Sequence, residues 1–322
     1  MTDFRVSIRD RLARLMTVPD ADLDRVAADL FAPENAFHAM APVDDVAGRD
    51  AVVEHILRPL RAALTGVHRR DEIVMGGENI REGGGRWVAC VSHLVGTFDA
   101  TLWGVAPSAR LAFLRAGEFY RVREDGLIDR AHVILDLPDL MRQAGRAPFP
   151  LLGTEMLFPG PATHDGVCPD PAGGTASLDV VQRMLGDLHV YDAVTYSSAG
   201  QTGEGGTWSD DMLWHGPGGV GSNYRWDGFV KDHRKPFIEA FPDRKGGNHY
   251  CRIGDGPYAA VSGWPSMTMT HRGPYLGLDP TDRALTLRVM DFYRVAGGRI
   301  AENWVLLDYV DLARQLGRDV LA

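Results

Sequence analysis

The chain is written twice, and this constrains its fold more than any other feature. Arg110 to Val122 reads RLAFLRAGEFYRV, and Arg283 to Val295, 173 residues further on, reads RALTLRVMDFYRV. The offset falls to 172 after a one-residue loop difference and holds through Ile128/Ile300 and Asp136/Asp308 to Asp139/Asp311. Upstream, Phe37-His38 corresponds to Trp214-His215, and HILRPLRAAL from His55 corresponds to DHRKPFIEAF from Asp232. Two copies of such length make a domain duplication rather than a solenoid. The copies are expected over residues 1–146 and 176–322, with a connector over 147–175. In that connector Pro148, Pro150, Pro159, Pro161, Pro169 and Pro171 alternate with glycines, a pattern that excludes a helix or a central strand. His164 and Cys168 inside it read as loop residues.

Within each copy the periodicity changes from helix to strand. Phe4, Ile8, Leu12 and Leu15 are spaced as one helix face, and Gly48 to Leu64 repeats that spacing. Strand patterns follow at 71–80, 87–94, 111–122 and 127–135, and the last runs into a helix from Pro138. Helices followed by hairpin-connected strands define an α+β domain, in which a curved antiparallel sheet wraps around helices and encloses a cavity. An apolar content of 45% can fill two such cores.

Several function classes are set aside by composition. The net charge of −9 opposes nucleic acid or an anionic membrane as partner. Cys90, Cys168 and Cys251 are too widely spaced for a zinc knuckle or a redox pair, and the 11 histidines are scattered, so no metal site is expected. Charged residues through the first twenty positions, and no long apolar run afterwards, lead to the expectation of a cytoplasmic protein. Gly216 to Gly221 spells G-x-G-x-x-G, but Pro217 stiffens it and no helix pattern starts there, so a dinucleotide site is not expected. No G-x-S-x-G, H-E-x-x-H or G-K-[ST] motif occurs.

Four elements of the second copy carry a resemblance. They are Ala240-Phe241-Pro242-Asp243, Thr270-His271-Arg272-Gly273, Leu278-Asp279-Pro280-Thr281, and FYRVAGGRIAENWVLLDYVDLARQLG from Phe292 to Gly317. In this order they resemble the SnoaL-like polyketide cyclases of the nuclear transport factor 2-like superfamily. The resemblance implies two cone-shaped (cystatin-like) domains in tandem, packed as an intramolecular pseudo-dimer; a homodimer of the whole chain is compatible with it. It also implies a small hydrophobic ligand and proton-transfer chemistry on a carbonyl compound, with neither metal nor organic cofactor. The first copy follows the pattern more loosely, with Ala106-Pro107-Ser108 where the second has Asp279-Pro280-Thr281, and Phe98 in place of His271.

The resemblance carries the acid–base aspartate to Asp308, which strand alternation places on one face with Trp304 and Leu306. A second reading competes, because an aspartate between a strand and a helix is also a common N-cap, and Asp136 stands at the same point of the first copy. His215 and His271 are candidates to orient the base or stabilise an enolate. His38 and His132 stand in the first copy where the second has His215 and Trp304. Trp304, Trp226, Tyr250, Trp264 and Tyr224 are candidate pocket walls. Arg115/Arg288 and Glu118/Asp291 recur too, and cross-strand ion pairs would account for them. A ligand-binding protein without catalysis is the alternative function.

Overall fold

The computed structural model describes residues 3–153, 158–188, 190–198 and 200–322, so residues 154–157 of the connector lie outside the described residues. The first half contributes six strands: β1 (Phe31–Ala39), β2 (Asp45–Ala47), β3 (Leu64–Glu78), β4 (Arg86–Phe98), β5 (Leu111–Val122) and β6 (Ile128–Leu135). The second repeats them as β7 (Trp208–His215), β8 (Ser222–Tyr224), β9 (Cys251–Asp255), β10 (Tyr258–Thr270), β11 (Ala284–Ala296) and β12 (Arg299–Leu307). The two sheets have the same order, β2-β1-β6-β5-β4-β3 and β8-β7-β12-β11-β10-β9. All pairings are antiparallel except β1 with β6 and β7 with β12, which run parallel, so each sheet is mixed.

The repetition extends to irregularities. The helix over residues 49–63 contains a π turn at Val53–Leu57, and its counterpart contains one at Val230–Arg234. Each π turn is followed by a proline near the start of the next helical segment, Pro59 and Pro236. A proline has no N–H to give to the preceding turn and its ring crowds that turn's carbonyl, so a widened turn accommodates it.

The halves pack face to face, and their contacts recur in matched pairs. Phe119 and Phe292, equivalent residues, meet at 5.2 Å between ring centroids. Asp136 Oδ2 accepts from the Gly218 amide at 2.8 Å, while Asp308 Oδ2 accepts from the Ala41 amide at 3.0 Å. Arg115 donates to the Gly216 carbonyl at 3.5 Å, and Arg288 to the Ala39 carbonyl at 3.3 Å. Each link joins one half to the other, and each has a counterpart in the reverse direction, as an approximate two-fold relation requires. Close approach is possible because Gly117 faces Leu306: a Cβ added at Gly117 would lie 2.6 Å from Leu306 Cδ1. A second junction joins the sheet edges. Asp255 of β9 accepts from the Gly76 amide of β3 at 2.7 Å and pairs with Arg5 at 2.8 Å.

Strand alternation then assigns two faces to the second sheet. Met290, Phe292, Trp304 and Leu306 are buried on the face turned to the first half. Val289, Asp291 and Tyr293 of β11, with Asn303, Val305 and Leu307 of β12, point the other way, beneath the helices Gly174–Asp187 and Lys235–Ala240. No helix among the described residues is long and apolar enough to cross a membrane.

Candidate functional site

A cavity of ≈ 100 Å³ lies under the helices of the second half. Its floor is the β11–β12 face just described, where Asp291 pairs with Val305 and Tyr293 with Asn303 in the strand register. Trp208, Trp214, Phe229 and Phe237 form an aromatic wall, Met184 and Leu188 close the top, and Gly246, Gly247 and His249 form one side. Neither lysine nor arginine lines it.

Asp291 is the one carboxylate in this lining and has no ion-pair partner among the described residues. Burial pushes its pKa up to about 7, opposed only in part by hydrogen bonding from Asn303 and Tyr293. Burial, and then the charge of Asp291, raise the Tyr293 hydroxyl well above its ordinary value, so it stays protonated and donates to Asp291. His233 stacks on Trp214 at 4.3 Å, and its buried Nδ1 has no hydrogen-bond partner among the described residues. Burial depresses the pKa of both His233 and His249 to about 3, reinforced for His233 by Arg234 and for His249 by Arg252. At neutral pH the imidazoles are therefore uncharged and Asp291 alone changes charge. Among the described residues no group of three or more His, Cys, Asp or Glu side chains is arranged to hold a metal ion.

The residues singled out from sequence occupy other places. Asp308 is 2% exposed; its Oδ1 accepts from the Asp311 amide at 3.0 Å as an N-cap, and its Oδ2 accepts from Ala41 and from Arg288 Nη1, both at 3.0 Å. Asp136 caps its own helix through the Asp139 amide. Both carboxyls are pushed up to about 6 by burial, yet neither faces the cavity. Trp304 shares a face with Leu306, as alternation requires, but that face is the contact with the first half, and its indole donates to the Pro159 carbonyl at 2.7 Å. His215, beside Trp304, meets the Ser222 hydroxyl at 3.4 Å. His271 is fully buried against Phe241 with Thr281 at 3.3 Å, and burial lowers its pKa.

The remaining aromatic candidates are also spread out. Trp264 stacks on His132 and lies over Arg288, at the contact between halves, and His132 meets the Ser262 hydroxyl at 2.7 Å. Tyr250 packs on Trp87 of the first half. Trp226 sits behind the aromatic wall against Trp208, and Tyr224 is 58% exposed. His38 is held between Asp45 and Arg130, each at 2.8 Å. The ion-pair reading holds for Arg115, which pairs with Asp139, for Arg288, which pairs with Asp44 and Asp308, and for Glu118, which pairs with Arg69. It does not hold for Asp291. Parity gave a signal: Arg288 and Asp291 are three apart on one strand and so point to opposite faces, whereas Asp291 and Tyr293 share one.

This architecture is a tandem of two α+β domains, one of which holds a largely apolar cavity floored by a single carboxyl. Residues 204–316, within the second half, match the family model of the SnoaL-like polyketide cyclases. Similar solved structures include a SnoaL-like protein of Jannaschia sp. CCS1 (16% identity, 43% of this chain and 89% of that one, TM-score 0.35). IdmH of Streptomyces antibioticus is 23% identical over 34% of this chain and 82% of its own (TM-score 0.29). TsrD of Streptomyces laurentii is 13% identical over 45% of this chain and 97% of its own (TM-score 0.36). Each likeness covers less than half of this chain at a low TM-score, so the assignment rests on the family match and the strand order. No curated protein matches the chain.

Proposed function

We propose that the second half is a cofactor-independent acid–base enzyme of the cyclase or isomerase kind, with Asp291 moving the proton. One observation carries this reading: a carboxyl without an ion-pair partner among the described residues, raised to about 7 by burial, faces a cavity lined by no other carboxylate and by no lysine or arginine. A general base with a pKa near the working pH is both available in its charged form and strong enough to take a proton from a carbon acidified by a carbonyl. Tyr293 stands two residues away on the same face, and its hydroxyl donates to Asp291, which holds the carboxyl in place at the cavity floor. The aromatic wall suits an apolar, compact substrate. The cavity is smaller than the cavity of about 150 Å³ that admits benzene in an engineered protein, so a polycyclic ligand enters only if the helices above it move. The Asp308 carboxyl has both oxygens committed to backbone amides, which favours a structural role for it.

Exchange of the ring protons beside the carbonyl of cyclopentanone in heavy water, followed by NMR, tests this without the natural substrate. The full chain should accelerate exchange, and Asp291→Asn should lower the rate about 10²–10⁴-fold, whereas Asp308→Asn should keep it per folded molecule. Equal rates for the wild type and Asp291→Asn would leave the cavity as a binding site alone.

A further inference from the structure

The first half reaches into the wall of the second-half cavity, through a contact that no part of the two-fold relation explains. The turn between β3 and β4 lies against the segment that carries His249 into β9. Arg81 Nε donates to the His249 carbonyl at 3.0 Å, Asn79 Nδ2 donates to the Tyr250 carbonyl at 3.1 Å, and Asn79 Oδ1 accepts from the Arg252 amide at 3.0 Å. The Ile80 amide donates to the Arg252 carbonyl at 3.2 Å. Gly83 lies against the Tyr250 ring, where an added Cβ would come within 3.1 Å of Cζ. The stretch from His249 to Arg252 is thus gripped from the other domain.

What this grip holds is an imidazole in a defined chemical state. Arg252 Nε donates to His249 Nδ1 at 3.1 Å, and Arg252 Nη2 donates to the Gly247 carbonyl at 3.1 Å. A guanidinium N–H is always a donor, so Nδ1 must be the acceptor, and the proton of the neutral ring sits on Nε2. The ring is 5% exposed and lines the cavity, and Nε2 has no protein partner among the described residues. It is an N–H without a protein acceptor among the described residues, on a side chain that borders the hollow. Gly247, with φ +84°, and the neighbouring Gly246 leave that side of the cavity without bulk.

We propose that His249 presents its Nε2–H as the hydrogen-bond donor for a ligand's oxygen opposite Asp291, with its tautomer set by Arg252 and its backbone position set by Asn79 and Arg81 of the first half. This rests on the acid–base reading of the same cavity, and it makes the diverged half the element that positions one wall of its partner's site. Because His249 donates while Asp291 accepts in its charged form, the ligand class is a carbonyl compound whose oxygen takes a donor as its neighbouring carbon loses a proton.

The test reads the histidine without any ligand, so it fails or succeeds separately from the exchange assay. In the full chain labelled with ¹⁵N-histidine, His249 should show a pyridine-like Nδ1 and a pyrrole-like Nε2, unchanged from about pH 5 to pH 8. Arg252→Gln should release it into mixed tautomers or bring a titration into that range. Arg81→Ala, at an exposed position, should split or shift the His249 signals and leave those of His233 in place. A pyrrole-like Nδ1 in the wild type, an unaltered tautomer in Arg252→Gln, or unmoved His249 signals in Arg81→Ala would each overturn the assignment.

Discussion

At two matched positions the interior of the first half and that of the second are built differently. On the 177-residue offset that relates Leu64 to Phe241 and Gly77 to Gly254, Arg69 corresponds to Gly246, and on the 173-residue offset Glu118 corresponds to Asp291. In the first half Arg69 donates to both oxygens of Glu118, at 2.8 and 2.5 Å, and to Asp71 at 2.6 Å. Ser92 and Tyr120 hydroxyls complete the Glu118 shell at 3.1 and 2.8 Å. Where Arg69 fills its cone with a guanidinium, Gly246 contributes no side chain, and Asp291 faces a hollow. The same carboxyl position is therefore a structural ion pair in one copy and, in the other, a cavity-facing carboxyl without an ion-pair partner among the described residues. Duplication lets one copy give up part of its packing for a cavity while the other remains filled.

The sharpest way to break this contrast is to write the first half's solution into the second. Gly246→Arg should close the cavity and pair with Asp291, lowering cyclopentanone exchange by at least about 10²-fold while the circular-dichroism spectrum stays that of the folded protein. Undiminished exchange in this variant would separate the cavity from the activity. The reverse change comes next. Arg69→Met leaves Glu118 and Asp71 buried without their cation, a loss of about 3–5 kcal/mol, to be read from urea unfolding, and exchange per folded molecule should survive. A loss below about 1 kcal/mol would show that the first half does not depend on its charged interior.

How far this contrast is legible in the sequence depends on which interactions decide each residue. The duplication, the strand runs and the closing helices are local or periodic properties, so RLAFLRAGEFYRV and RALTLRVMDFYRV identify β5 and β11 directly. β1 and β7 are less visible, because each pairs in parallel with a strand nearly a hundred residues away. Alternation groups Trp304, Leu306 and Asp308 correctly, but which face looks into the cone is set by packing against the first half, and Gly117 gives no sequence sign that Leu306 rests on it. His249 is out of reach for a similar reason: its role comes from Arg252 and from Arg81 across the domain boundary.

A smaller effect probes the cost of keeping Asp291 unpaired. Its folded pKa of about 7 lies above the ordinary 3.8, so between those values the native state binds more protons than the unfolded chain, and stability falls as pH rises. Asp291→Asn removes that penalty. The variant should be more stable than the wild type by about 1–3 kcal/mol at pH 8, and the gain should vanish below about pH 4. A gain of equal size at both pH values, or a loss at pH 8, would contradict a destabilised functional carboxylate.

The last comparison sets Asp136 against Asp308, residues at matched positions doing matched work. Each caps a helix with one oxygen and takes an amide of the opposite half with the other, so alanine at either should cost about 1–2 kcal/mol through the cap, plus the contribution of the contact between halves. The two losses should agree closely, since burial, capping geometry and cross-half partner are equivalent, although Asp308 also holds Arg288 at 3.0 Å whereas Asp136 stands 3.5 Å from Arg115. Both carboxylates are ion-paired, and the shorter contact at Asp308 should make Asp308→Ala the costlier by a few tenths of a kcal/mol. If Asp308→Ala instead abolished proton exchange in a protein that unfolds normally while Asp136→Ala did not, the matched pair would be broken, and the reacting carboxyl would lie at the contact between halves rather than beneath the helices.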